Sequence, residues 1–422
     1  KRMQLQEFKK AGHWPTLLAA FLYFDISFMA WVSLGPLMIY IAKDMHLPVE
    51  DKMSLVAIPV LAGALLRVPL GLIADAIGSK VAGVGAQIVV IFAVTLVFVF
   101  GLPAPVAIAI FGIALGVGGA SFAVALPQAS RWYPPHYQGV VMGIAGAGNM
   151  GVVLDTLFAP WIAETYGWRA VYGLLLLPMF AILLFYVFAA KEAPVARSKI
   201  VLADYGKMFL DADSRWFMFL YFITFGGFVG LASALPLYFT AQYHTTGIAA
   251  GLMVSLIVGF GSGFRPVGGH IADRIGGVKT LSFLFVAVSA SYFLIAFLPE
   301  GPAPAAGVAG WSLLQLPPIA WAAMALFSFG MLCLGMGNGA VFQLLPQRFR
   351  NEIGAMTGLV GAAGGLGGYF LAKTLAFSKG TTGAFTDGFI FFGFLALLGL
   401  VGLIFVKTRW RTTWGAVSGA RI

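Results

Sequence analysis

The sequence is poor in charge, cysteine and histidine. Only 10% of its 422 residues are Asp, Glu, Lys or Arg, against about a quarter in soluble domains. Such a chain cannot clothe itself in a polar surface, so lipid must be its main solvent. The lone Cys333 excludes an intramolecular disulfide and a cysteine metal site, and the five histidines show no ligand spacing. No metal and no cofactor is therefore expected. No short cleavable signal is expected before the first apolar segment, and the opening on Lys1 rather than Met points to a trimmed start.

What is abundant is apolar. Hydrophobic residues make up 60% of the chain, which also holds 54 glycines. A membrane-spanning helix needs roughly 20 apolar residues, which leaves room for about a dozen. Glycine weakens soluble helices but lets helices approach closely in lipid. Twelve apolar segments are read near 15–42, 53–74, 81–101, 105–130, 138–163, 168–190, 216–242, 248–271, 279–299, 319–345, 353–378 and 384–406. The expected fold is an all-α membrane protein of twelve transmembrane helices. Its parts are a six-helix half over 1–190, a linker over 191–215 and a second six-helix half over 216–422.

An even number of spans puts both termini on one side. That side carries 19 Lys and Arg, the other only Lys43, Lys52, Arg169 and Lys379. Positive residues accumulate on the cytoplasmic side, so both termini are expected in the cytoplasm of a multi-pass cell (inner) membrane protein. The net charge of +10 is thus a topology signal and not a sign of nucleic-acid binding. Arg67, Arg265 and Lys373 fall inside spans.

The two sets of six repeat. Arg67, Gly71, Asp75 and Gly78 match Arg265, Gly269, Asp273 and Gly276 at an offset of 198, and Gly116, Gly118, Pro127, Gln128 and Arg131 match Gly335, Gly337, Pro346, Gln347 and Arg350 at an offset of 219. Repeats of this kind place a binding site at their interface, near mid-membrane.

At this point the residues resemble a known family. Gly71-x-x-x-Asp75-x-x-Gly78 is similar to the signature of the major facilitator superfamily. The glycine runs Gly146-Ala147-Gly148-Asn149-Met150-Gly151 and Gly361-Ala362-Ala363-Gly364-Gly365-Leu366-Gly367-Gly368 resemble the paired signatures of its nitrate/nitrite porter family, and Gly337-Asn338-Gly339-Ala340-Val341-Phe342-Gln343 is also similar to that family. The resemblance implies a major facilitator fold, secondary active transport of nitrate or nitrite, and an anion site lined by Tyr221, Phe225 and Phe122. It also implies that Asp75 and Asp273 tie adjacent helices when the transporter opens outward; their expected partners are Arg131 and Arg350, or nearby helix N-termini.

The arginines carry the chemistry. An arginine inside a span is costly and needs a partner. One alone fits a snorkelling side chain or a gate ion pair; two in register fit a site. Guanidinium is a rigid planar fork suited to planar oxyanions, so Arg67 and Arg265 are expected to clamp one anion, with the amide of Asn149 as a neutral donor. Asp25, roughly 15 Å into the first span at 1.5 Å per residue, and Asp155 are candidates to carry a coupled proton. The expected activity is proton-coupled nitrate uptake. Nitrate/nitrite antiport, and exchange of another small anion such as a carboxylate, stand as alternatives. Lys373 could pair with either aspartate or face the outer vestibule. Expected partners are the anion, a proton in the symport reading, and the lipid bilayer; the chain is expected to be a monomer. No metal or nucleophile constellation suggests an enzyme, and an internal two-fold repeat favours a carrier over a fixed pore. The glycine runs lie within apolar spans with no preceding strand, which excludes a nucleotide-binding loop.

Overall fold

The computed structural model describes residues 5–134, 138–194, 202–349, 352–415 and 422. Within these, twelve helices are long and apolar enough to cross a bilayer, the outcome expected where lipid offers the backbone no hydrogen-bond partners. Spans 1 to 6 are Trp14–Ile41, Val49–Ile77, Ser79–Phe100, Pro105–Ser130, Val141–Tyr166 and Trp168–Ala189. Spans 7 to 12 are Ala212–Tyr243, Gly247–Ile275, Gly277–Ala296, Pro318–Arg348, Ile353–Thr382 and Thr386–Thr412. A short helix, Leu202–Leu210, lies between the two sets. Gly12, Ile422 and this helix lie toward one face, here the terminal face, where they meet the ends of spans 4, 8 and 2; the opposite one is the far face.

The observed ends differ from the sequence reading by a few residues, with local causes. Span 2 starts at Val49 because Glu50 and Asp51 occupy its first turn, where carboxylates suit the positive end of the helix dipole. Span 7 starts at Ala212 because Asp211 caps it, accepting from the backbone N–H groups of Asp213 and Ser214 at 2.9 Å each. Gly78 and Gly276, which close the repeated motif, end spans 2 and 8 with φ of 108° and 98°. Such positive values disfavour residues with a Cβ.

Two spans are interrupted where the sequence is glycine-rich. Span 4 breaks at Ala120 and Ser121. Span 5 tightens into a 3₁₀ turn over Ala147–Met150, a departure that inside a helix often marks a functional position.

The first six spans meet the last six closely on the far side. A Cβ on Gly35 of span 1 would stand 2.8 Å from the backbone oxygen of Ser233 in span 7. Ser255 Oγ of span 8 donates to the Val153 carbonyl of span 5 at 3.0 Å. Lys373 of span 11 donates to Ser54 Oγ of span 2 at 3.0 Å. Toward the terminal face, Tyr205 of the short helix lies between spans 2 and 11. Its hydroxyl is 3.4 Å from where a Cβ on Gly71 would stand and 3.8 Å from one on Gly358. Burial and the nearby Asp75 carboxylate push this hydroxyl up to about 12, so it is a neutral donor at physiological pH.

Candidate functional site

Arg67 is fully buried in span 2. Two backbone carbonyls and three aromatic rings surround it. Its Nε donates to Gly119 O at 3.2 Å, and its Nη1 donates to Gly361 O of span 11. The break in span 4 explains the first contact. In a regular helix Gly119 O would accept from Ala123, but the Ala123 N–H bonds to Ala120 O instead, at 3.0 Å, and leaves Gly119 O to the arginine. The guanidinium carbon lies 5.5, 5.0 and 5.2 Å from the rings of Trp31, Phe122 and Phe225. Cation–π contacts of this kind contribute about 0.5–2 kcal/mol each.

Arg265 of span 8 is half-buried. Its Nη2 lies 3.4 Å from the Tyr221 hydroxyl, and its guanidinium carbon lies 5.6 Å from the Phe342 ring. Tyr221 and Phe225, one turn apart in span 7, stack at 5.0 Å. Phe342 packs edge-on against Tyr221 at 5.1 Å and Phe122 at 6.1 Å. Both arginines therefore border one aromatic cluster. Among the described residues, neither arginine has a carboxylate at ion-pair distance. One buried nitrogen on each, Arg67 Nη2 and Arg265 Nη1, makes no hydrogen bond to the protein. This refines the expected pair of open forks: in this conformation Arg67 spends two of its three nitrogens on carbonyls.

Asn149 sits in the 3₁₀ turn of span 5, buried, with both amide atoms unpaired. Gly146, three residues earlier, faces Arg265: a Cβ there would lie 3.7 Å from the guanidinium carbon. Residues three apart share a helix face, so Asn149 is on the side that looks toward Arg265.

Neither acidic candidate is ion-paired to either arginine among the described residues. Asp25 is half-buried in span 1, where Gly148 and Gly151 of span 5 pack on its backbone. Asp155 is buried in span 5, and its Oδ2 has no hydrogen-bond partner. Lys373 pairs with neither aspartate; it reaches Ser54 near the far side.

Toward the terminal face, Arg131 binds Asp75 at 2.5 Å and joins spans 4 and 2. Asp273 holds the matching place near the end of span 8, whereas its expected partner Arg350 lies outside the described residues. A different network joins the last six spans. Arg348 binds Asp213 at 2.8 Å and Asp211 at 3.2 Å, and Arg409 and the Trp410 indole also reach Asp213.

Trp31, Phe342, Gly361 and Asp213 were not anticipated as site or gate residues. For Phe342 a signal existed: it lies in the glycine-flanked run that begins at Gly337. Trp31 and the Gly361 carbonyl leave none, because their roles depend on which spans touch.

Comparison with known proteins places the arrangement. A family model described as Major Facilitator Superfamily matches residues 18–372. The "Nitrite extrusion protein" of Bacillus subtilis (strain 168) is 33% identical over 392 residues, covering 90% of this chain and 91% of that protein. A "Probable nitrate transporter NarT" of Staphylococcus carnosus (strain TM300) is 34% identical, covering 91% and 92%. Among solved structures, a D-xylose-proton symporter superposes with a TM-score of 0.67 at 16% identity, covering 92% of this chain and 97% of that one. At that identity the likeness concerns the fold alone.

Proposed function

The chain belongs to the nitrate/nitrite porter family of the Major Facilitator Superfamily, and we propose that it carries nitrate or nitrite across the membrane by alternating access between two six-span halves. The observation that carries this reading is the pair of buried guanidinium nitrogens, Arg67 Nη2 and Arg265 Nη1, left free beside one aromatic cluster. Nitrate and nitrite are small, planar, weakly hydrated anions. Charge-assisted N–H donors bind their oxygens strongly in a dry site, and the rings of Phe122, Phe225 and Tyr221 keep water out. Asn149 supplies a neutral donor on the same side.

Alternation follows from the electrostatics. Two like charges repel across a low-dielectric cleft; one anion between them turns repulsion into attraction and favours the closed form. The Lys and Arg bias makes the terminal face cytoplasmic, so the far-side contacts seal the outside in this state. The tie of Asp75 to Arg131, which is made in this state, and the matching place of Asp273 belong to the cytoplasmic side.

For coupling, the favoured reading is symport of a proton with the anion. Asp155 is buried without an ion-pair partner among the described residues, and Asp25 lies where spans 1 and 5 pack. A carboxyl inside a membrane protein is a functional candidate. Nitrate/nitrite antiport is the second reading, because the arginine pair suffices for either anion and the Bacillus relative is named for nitrite extrusion. Nitrate uptake into proteoliposomes, with an inward proton gradient or with internal nitrite, separates them. Stimulation by the gradient alone supports symport; stimulation by internal nitrite alone supports antiport.

A further inference from the structure

We infer that Asn338, with Thr224 beside it, is a second neutral anion-binding position that favours a three-oxygen anion over a two-oxygen one. The inference rests on the anion-site reading above and asks which anion that site prefers.

Asn338 lies in span 10, is completely buried, and leaves both amide atoms unpaired. Thr224 in span 7 is 1% exposed, and its hydroxyl is also unpaired. A helical threonine usually satisfies its hydroxyl on a carbonyl one turn back, as Thr240 does on Pro236 O at 3.1 Å. Leaving a buried donor unmade costs about 1–3 kcal/mol, and removing polarity by Asn→Leu or Thr→Val would cost no shape. The polarity at these two places therefore calls for an occupant.

The neighbours of Asn338 fix its direction. Gly337 packs on Thr224, whose methyl carbon lies 2.6 Å from where its Cβ would stand. Gly339 packs on the backbone carbonyl of Arg265 in span 8. Asn338, between these two, points into the gap between spans 7 and 8. Phe342, one turn later on the same face, confirms which side of span 10 this is, because it touches Arg265, Tyr221 and Phe122. The two unpaired amides, Asn149 from the first six spans and Asn338 from the last six, thus both flank Arg265.

The chemistry separates the anions. Two free arginine nitrogens can serve the two oxygens of bent nitrite, one each. Trigonal nitrate has a third oxygen in the same plane. Uncharged N–H and O–H donors suit it, since they add hydrogen bonds without a further positive charge to desolvate.

The test is equilibrium binding of nitrate and of nitrite to the purified full chain, for wild type, Asn338→Leu and Thr224→Val, with thermal stability measured alongside. In Asn338→Leu nitrate affinity falls about tenfold, ~1.4 kcal/mol, while nitrite affinity changes less than about twofold. Thr224→Val moves the ratio the same way by a smaller factor and stands in if Asn338→Leu does not fold. Unchanged affinities, or equal losses for both anions, overturn the inference. Wild-type protein that binds neither anion overturns the anion-site reading itself, a result distinct from an altered ratio.

Discussion

Arg67 of span 2 donates to the backbone carbonyl of Gly361 in span 11, so a fully buried cation of the first six helices grips the last six. A Cβ on Gly361 would stand 3.0 Å from Arg67 Nη1 and 3.3 Å from the Phe122 ring, so both would have to give by a few tenths of an ångström. Gly361→Ala is therefore expected to displace the guanidinium and cut nitrate transport by at least about tenfold, the scale of one lost charge-assisted hydrogen bond. Nitrate uptake at matched membrane abundance checks it.

The two arginines are unequal. Arg67 makes two carbonyl hydrogen bonds and three ring contacts, whereas Arg265 has Tyr221 and Phe342. A lysine has no planar fork and cannot reproduce the Arg67 arrangement. Arg67→Lys is expected to lower both thermal stability and anion affinity. Arg265→Lys should lower affinity with little loss of stability. Tyr221→Phe, which removes a single 3.4 Å contact, should weaken affinity by only a few-fold. Thermal melts and anion titrations on the three variants check the order.

Asp213 gathers Arg348, Arg409 and the Trp410 indole at the terminal ends of spans 7, 10 and 12. Asp213→Asn keeps the shape and removes the charge, leaving two arginines without their shared partner. Part of the network is exposed, which weakens the effect, so destabilisation of about 1–2 kcal/mol is expected. A lowered melting temperature with unchanged anion affinity is the predicted signature.

Proton coupling predicts a clean dissection. Asp25→Asn and Asp155→Asn each remove a carboxyl without changing its shape. In the carrier of that coupling, uptake driven by an inward proton gradient is lost while nitrate counterflow persists. If both variants retain acid-driven uptake, neither carboxyl carries the proton.

The sequence made the arginine pair legible because a charge in an apolar run stands out, and two in register at one offset stand out more. The ends of the spans were legible for similar reasons, with small errors where caps such as Asp211 extend a helix beyond its apolar stretch. The partners of Arg67 were not legible. Gly119 offers its carbonyl only because span 4 breaks after it, and Gly361 only because spans 2 and 11 touch. The terminal-face ties show the same limit. Asp75 and Arg131 pair in the first six spans, whereas in the last six spans the observed network uses Arg348 and Asp213, which the repeat pattern does not relate to one another.

The central claim is that both arginines hold one transported anion between the halves. Counterflow of labelled nitrate in proteoliposomes tests it most directly, comparing wild type with Arg67→Lys and Arg265→Lys at equal reconstitution. The account predicts trans-stimulated nitrate exchange in wild type and its loss in both variants. Normal exchange in either variant, or wild-type flux that unlabelled nitrate on the opposite side does not stimulate, would contradict it.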